Sequence, residues 1–348
     1  MSVLGIIEKL LDGFEVEWKK FDDVGVFLRG KRFVKADMKS EGVPCIHYGE
    51  MYTHFGVHAK EAKSFLDETV ASKLRVANPG DVVIVAAGET IEDIGNGTAW
   101  LGESDVVFHD ACFSFKSGQD PKYVAYYLRT NLFKEQIRRS VSSGKISSIN
   151  AKGLGKATIP IPCPDNPEKS LAIQAEIVRI LDAFTAMTAE LTAELTAELN
   201  MRKKQYNYYR DQLLSFEEGD VEWKTLEEVA HFANGKGHEK DISEDGKFIV
   251  VNSKFISTDG LVAKYSDSQI CPLFKDDILL VMSDLPNGKA LSKTFIVDED
   301  GRYTLNQRIG GITVKDKSEI LPKFLHYFLD RTPQLLKHNN GVDQTNLR

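Results

Sequence analysis

Two periodicities divide the chain. From Val16 to about Pro162, and again from Val221 onward, short runs rich in Val, Ile and Phe are separated by Gly, Asn and Asp. That pattern predicts short strands and turns, a small twisted sheet in each region. One amphipathic helix is expected near the end of each, around residues 121–139 and 322–337. Between them, from about Lys169 to Phe216, there is no Gly or Pro and good helix formers dominate. A single helix of roughly 70 Å follows at ~1.5 Å per residue. The predicted organisation is α+β: a first domain over 1–165 with a short N-terminal helix, a spacer helix over 166–217, and a second domain over 218–348.

The two domains are copies. Val16-Glu-Trp-Lys19, followed by Phe21, Val24, Phe27, Gly30 and Lys31, recurs as Val221-Glu-Trp-Lys224, Leu226, Val229, Phe232, Gly235 and Lys236, at a constant offset of 205. The match continues more loosely from Pro79–Val85 to Phe274–Val281 and from Pro121–Leu128 to Pro322–Leu329. Both copies then reach a polar glycine loop, Ser142–Asn150 in the first and Asn339–Asn346 in the second. Repeats of this kind must be recognised before individual elements are assigned. The equivalent Trp18 and Trp223 are expected to anchor the two cores.

Along the spacer the apolar positions run Ile173, Ile177, Ile180, Phe184, Met187, Leu191, Leu195 and Leu199, then Tyr206, Tyr209 and Leu213. Steps of three and four alternate at both ends, as in a coiled coil. At the centre stands a tandem of three Thr-Ala-Glu-Leu units, Thr188–Leu191, Thr192–Leu195 and Thr196–Leu199. Its four-residue steps interrupt the heptad as a stutter does, and Glu190, Glu194 and Glu198 are stacked at like-charge spacing. Arg202, Lys203 and Lys204 form the helix's basic run, expected to be solvated or paired with Glu198. Tandem duplication alone leaves such units wherever a helix tolerates them; a ruler is the functional reading. One unit lengthens a helix by about 6 Å and turns it about 40° beyond a full turn, close to the shift between neighbouring base pairs of about 36°.

Composition narrows the function classes. The formal net charge is −7, which counts against a simple phosphate-binding domain but not against a local basic surface. The longest apolar stretches fall far short of the ~20 residues of a membrane span, and the first residues do not resemble a secretory signal, so the expected location is the cytoplasm. Cys45, Cys112, Cys163 and Cys271 are widely separated, arguing against a zinc site or a disulfide framework and for buried thiols. Catalytic signatures are absent. Asp165-Asn-Pro-Glu168 lacks the second Pro and the aromatic of an amino-methyltransferase loop; Gly95–Gly102 lacks dinucleotide spacing, and no phosphate loop, His-Glu-x-x-His or nucleophile elbow occurs.

A duplicated domain opening on Glu-Trp-Lys and closing on a polar glycine loop, with Thr-Ala-Glu-Leu units between the copies, resembles the DNA-specificity subunit of Type I restriction-modification enzymes. The resemblance spans essentially the whole chain. It implies two target-recognition domains, joined by a long coiled-coil-forming helix, that read a split, asymmetric site in double-stranded DNA without catalysing anything. It also implies two methyltransferase subunits carrying S-adenosylmethionine and methylating adenine in each half-site, and restriction subunits using ATP and Mg. No cofactor is expected in this chain. One departure stands out: after its glycine loop the first copy continues into the long helix, whereas the second stops at Arg348. The helix stripe therefore lacks an intrachain partner, and a methyltransferase helix or a second copy of this chain is expected to cover it.

Bases are read by Arg, Lys, Asn, Gln and Ser on protruding elements, and phosphates are held by cations and backbone amides. The candidate DNA contacts in the first domain are Arg29, Lys31, Arg32, the stretch Gly88–Thr98, Lys145, Ser147, Ser148 and Asn150. In the second they are Lys236, His238, Asn252, Lys254, Asn287, Lys289, Lys293, Gln307, Arg308, Asn340 and Gln344. The competing class is a two-domain protein-interaction scaffold without DNA specificity, which large aromatic patches at these loops would favour. The ruler reading makes a prediction: variants with two or four Thr-Ala-Glu-Leu units should show footprints whose two blocks are separated differently from those of the three-unit chain.

Overall fold

Runs that are apolar throughout become central strands, because only a strand covered on both faces buries consecutive side chains. Val82–Val85 and Ile278–Val281 are buried at all four positions. A computed structural model describes residues 13, 15–88, 90–142, 144, 146–217, 219–238, 240–284, 290–337 and 345–346. It divides into two compact units, 1–195 and 196–348, with the division inside the long helix.

In the first unit a five-stranded sheet runs Gly25–Arg29, Cys112–Ser117, Val82–Val85, Gly97–Trp100, His58–Ala59. Beside it lies a four-stranded sheet in which Val43–Ile46 and Val106–Phe108 pair in parallel. Phe21, Trp100, Phe108, Phe115 and Phe133 are fully buried in one core. The second unit repeats the plan. Ala230–Asn234, Ile309–Val314, Ile278–Val281 and Thr294–Ile296 form the larger sheet, and Phe248–Val251 pairs in parallel with Tyr303–Leu305. Small details recur as well: Asp81 accepts from the Asn78 N–H (3.0 Å) and Asp277 from the Phe274 N–H (2.8 Å), each closing the turn before the central strand.

Three expectations change. The helix expected over 121–139 is two, Pro121–Tyr127 and Asn131–Arg138, because Thr130 caps the second by accepting from the Phe133 N–H (3.2 Å). Likewise 322–337 divides into Pro322–Leu329 and Pro333–Leu336, since Pro333 lacks an N–H and disfavours helix before it. The tryptophans are not core anchors. Trp18 is 50% exposed and Trp223 54%. Trp18 sits on the two-stranded ladder Val16–Lys20 with Thr158–Pro162, outside the larger sheet, and meets Tyr127 edge to face. Trp223 packs against Phe328. The expected N-terminal helix lies outside the described residues.

The long helix spans Pro167–Leu213. Contrary to the expectation of a wholly uncovered stripe, its first turns are docked. Ile173 and Val178 are buried, and the buried Gln174 accepts from the Asp120 N–H (3.0 Å) while donating to Gln119 Oε1 (2.8 Å). Asp182 pairs with Lys122 and accepts from the Tyr126 hydroxyl. From Phe184 onward the stripe is open: Phe184, Met187, Leu191, Leu195 and Leu199 are all more than half exposed. Thr185, Thr188 and Thr192 each donate to the carbonyl four residues earlier, at 2.8 Å. Arg202 pairs with Glu198 at 2.7 Å, as expected.

Gly30 and Gly235, matched in the repeat, have one physical reason. A methyl group on Gly30 would meet the His109 carbonyl oxygen at 2.2 Å, and one on Gly235 the Asn306 carbonyl oxygen at 2.1 Å. Backbone cannot swing aside as a side-chain tip can. Gly30→Ala and Gly235→Ala are each expected to destabilise their own unit by about 1–3 kcal/mol, the usual cost of overpacking, as read from urea unfolding midpoints.

Candidate nucleic-acid interface

Four backbone segments converge in the first unit beyond the ends of the parallel strand pair. They are the turn after Gly25–Arg29, the residues following Val43–Ile46, the turn after Val106–Phe108, and the ladder of Ala87–Gly88 with Ser147–Ser148. Main-chain hydrogen bonds join them: Gly30 N to Cys112 O (3.0 Å), His109 N to Ile46 O (3.1 Å), Ala86 N to Ala111 O (2.7 Å) and Ile149 N to Ala86 O (2.9 Å). Tyr52 adds a side-chain tie by donating to Ala87 O at 3.0 Å. In the second unit Gly235 N reaches Ile309 O (3.2 Å), Asn306 N reaches Val251 O (3.3 Å) and Met282 N reaches Arg308 O (3.1 Å). Ser283–Asp284 pairs there with Thr345–Asn346. Loops far apart in sequence thus form one corner in each unit.

The candidate contacts divide by what they already do. Arg29, Lys31 and Arg32 are exposed at the first corner. Arg29 Nε donates to Asp110 O (3.0 Å) and Lys31 Nζ to Lys73 O (2.7 Å), which holds two of the cations in fixed positions. Ser147 is buried in the ladder, whereas the Ser148 hydroxyl is shared with that of Ser142 at 3.0 Å. Asn150 is exposed, and its Oδ1 accepts from the Gly153 N–H, capping Ala151–Gly155. At the second corner Lys236, Gln307 and Arg308 are exposed together, and Lys236 bridges Asn306. Asn252 caps Ser253–Ser257, Lys254 is exposed beside it, and Lys293 Nζ lies 3.1 Å from Asp259.

His238 is not a surface contact. It is 1% exposed, with Nδ1 donating to Lys236 O (2.8 Å) and Nε2 accepting from the Thr304 hydroxyl (2.9 Å), so it buttresses the turn that carries Lys236. Nor is Gly88–Thr98 an open loop: Ile94 is fully buried, and the Lys134 ammonium donates to Glu92 O, Ile94 O and Asn96 Oδ1 at 2.7–3.0 Å. Burial brings the pKa of Lys134 down to about 8. Lys145, Asn287, Lys289, Asn340 and Gln344 lie outside the described residues. Cys45, Cys112 and Cys163 are buried and Cys271 partly so, all with free thiols. No described helix is long and apolar enough to cross a membrane.

Sequence reading missed the group at the centre of the first corner. His47 and His109 have ring centroids 4.8 Å apart, with Phe33 and Tyr48 packed against both. His47 begins a capping box: its Nδ1 accepts from the Gly49 N–H (3.2 Å) and its own N–H donates to Glu50 Oε2 (2.9 Å). The spacing His47-x-x-Glu50 after an apolar run was the available signal. His109 Nδ1 accepts from the Ala111 N–H (3.1 Å). The Asp110 carboxylate is also 3.1 Å from that nitrogen. A nitrogen that accepts a backbone N–H carries no proton, so the contact is not an ion pair. Burial, foremost, holds both histidines below their ordinary pKa of 6.5; the His109 ring adds to this on His47, while Asp110 and a backbone hydrogen bond at Phe33 pull only partly the other way on His109.

A depressed folded-state pKa favours the neutral ring. Its stabilising contribution is complete above pH 6.5 and is lost as the pH falls below that value, because the unfolded chain then binds protons the folded one refuses. The urea midpoint of the first unit is expected to fall between pH 7.5 and 5.5, and by less in His109→Asn.

Comparison with known proteins gives concordant matches. The family model described as the Type I restriction modification DNA specificity domain matches residues 15–201 and again 218–348. The chain is 42% identical over 243 residues to the Escherichia coli Type I restriction enzyme EcoR124I/EcoR124II specificity subunit, an alignment covering 68% of this chain and 53% of that protein. It is 38% identical over 244 residues to the Escherichia coli Type I restriction enzyme EcoprrI specificity subunit, covering 68% and 59%. The chain therefore spans little more than half the length of these two relatives. A solved structure from work on complex assembly and conformational transition of the type I R-M system superposes with a TM-score of 0.57 at 14% identity, over 90% of this chain and 78% of that one, a likeness of fold.

Proposed function

The chain belongs to the Type I restriction-modification DNA specificity family, and from that premise we propose that it is a non-catalytic reader of split, asymmetric targets in double-stranded DNA. On this reading residues 1–165 and 218–348 are the target-recognition domains and 166–217 the spacer. Two methyltransferase subunits carrying S-adenosylmethionine would modify adenine in the half-sites it selects, and restriction subunits would bring ATP- and Mg-dependent cleavage, all in the cytoplasm. The open stripe from Phe184 onward is the surface offered to a helix of the methyltransferase or of a second copy.

The observation that carries this proposal is the duplicated corner. Each unit exposes cationic side chains on turns fixed by equivalent backbone bonds: Arg29, Lys31 and Arg32 in one, Lys236 and Arg308 with the amide of Gln307 in the other. Fixed backbone with variable tips suits base readout, since Arg and Lys address guanine edges and Gln and Asn adenine edges. A net negative chain can still present such local positive tips to DNA.

The experiment is selection from random duplexes by the chain mixed with its methyltransferase partner, followed by sequencing of what is retained. Two short enriched blocks at fixed separation are expected; no enrichment by a folded complex would instead indicate a protein-interaction scaffold. Arg308→Ala should weaken selection at one block about tenfold or more, the ~1–3 kcal/mol of a bidentate base contact, and leave the other unchanged. Arg32→Ala should do the reverse.

A further inference from the structure

The two corners share a backbone but differ at their centres. His47 follows strand Val43–Ile46 and caps the next helix; Asn252 follows Phe248–Val251 and caps its counterpart, accepting from the Phe255 N–H at 2.9 Å. His109 follows Val106–Phe108, with its carbonyl against Gly30; Asn306 follows Tyr303–Leu305, with its carbonyl against Gly235. One unit thus has two histidines packed ring against ring at a tilt, centroids 4.8 Å apart, where the other has two asparagines. An asparagine side chain does not titrate near neutrality, and a histidine does; the second corner's His238 differs in that its accepting nitrogen faces the Thr304 hydroxyl, which can turn from donating to accepting where a backbone N–H cannot.

Resting on the reading above, we propose that His47 and His109 are positioning residues that hold the first domain's reading turns only while both rings are neutral, so that recognition by this domain alone is lost on acidification. The coupling is geometric. Each Nδ1 accepts a backbone N–H, from Gly49 and from Ala111. A second proton on either ring must occupy that nitrogen, replacing an acceptor with a donor: on His47 it faces the Gly49 N–H, and on His109 it is drawn from the Ala111 N–H to the Asp110 carboxylate 3.1 Å away. The Ala111 turn would then be released, and with it the carbonyl that receives the Ala86 and Ala87 N–H groups (2.7 and 3.1 Å) and so fixes the ladder bearing Ser147 and Ser148. The charged groups facing the pair are Glu50 and Lys35 at His47 and Asp110 and Arg32 at His109. They oppose one another in sign; burial comes first on both rings, the neighbouring ring adds to it on His47, and Asp110 with a backbone hydrogen bond at Phe33 only partly offsets it on His109. A protonated pair would also attract phosphate, so overall affinity is the wrong readout; occupancy of each half-site is the right one.

The test is hydroxyl-radical footprinting of the full chain with its methyltransferase partner on the duplex enriched above, at pH 7.5 and 5.5. Protection of the first domain's block, identified by its sensitivity to Arg32→Ala, is expected to fall about tenfold on acidification while the second block stays protected. His109→Asn and the His47→Asn, His109→Asn double variant, which place the second domain's residues in the first, should flatten that pH dependence. Unchanged or stronger protection of the first block at pH 5.5, equal loss of both blocks, or an undiminished acid loss in the double variant would each overturn the proposal. Failure to enrich any duplex would overturn the DNA-reading function itself, a different and earlier outcome.

Discussion

A main-chain carbonyl pressed against a glycine sets the geometry of both units. Where Gly30 meets His109, and Gly235 meets Asn306, the outer strand of the larger sheet crosses the end of the parallel pair with no room for a β-carbon. That contact brings the turn after the outer strand onto the turn after the inner one. Exposed cations of one turn consequently share a corner with the residues of the other, although some 70 to 80 residues separate them. Side chains at this crossing can change while the crossing stays, because the constraint is carried by backbone atoms.

The corner has a rigid base and variable tips, and the energetics follow that division. The base is apolar and hydrogen-bonded: Ile94 and Ile149 are buried, Lys134 spends its ammonium on three oxygens of the 92–96 segment, and His238 spends both ring nitrogens on its own turn. Groups so engaged have little left to offer a ligand. The tips, Arg32 and Lys236 among them, remain in solvent, where pre-positioned backbone lowers the ordering cost of binding. Arg29 and Lys31 lie between these extremes, exposed yet tethered to carbonyls.

Much of the fold was legible in the sequence because repetition doubles the signal. The repeat matched the opening segments, the central strands and the starts of the later helices of both units, though not the break within each later helix, and the composition between them defined the long helix. Misreadings arose where a short-range pattern was overridden from a distance. Trp18 has the volume of a core residue, but its strand pairs only with Thr158–Pro162, so the ring is left half in water. Polar residues in loops read as outward-facing, yet His238 is satisfied by Thr304, 66 residues away, which no local pattern reveals. His47 and His109 escaped notice for the same reason, since their packing depends on a parallel pairing between distant segments.

The threonines of the central helix carry a consequence for heredity. Thr188 and Thr192 close their hydroxyls on carbonyls of the same helix, one turn back, and the leucines beside them stand in solvent. The threonine of a Thr-Ala-Glu-Leu unit thus finds its acceptor on the backbone of whatever turn precedes it. Adding or removing one whole unit leaves no orphaned donor and no cavity behind, so chain length here is a character on which selection can act without first repairing the fold.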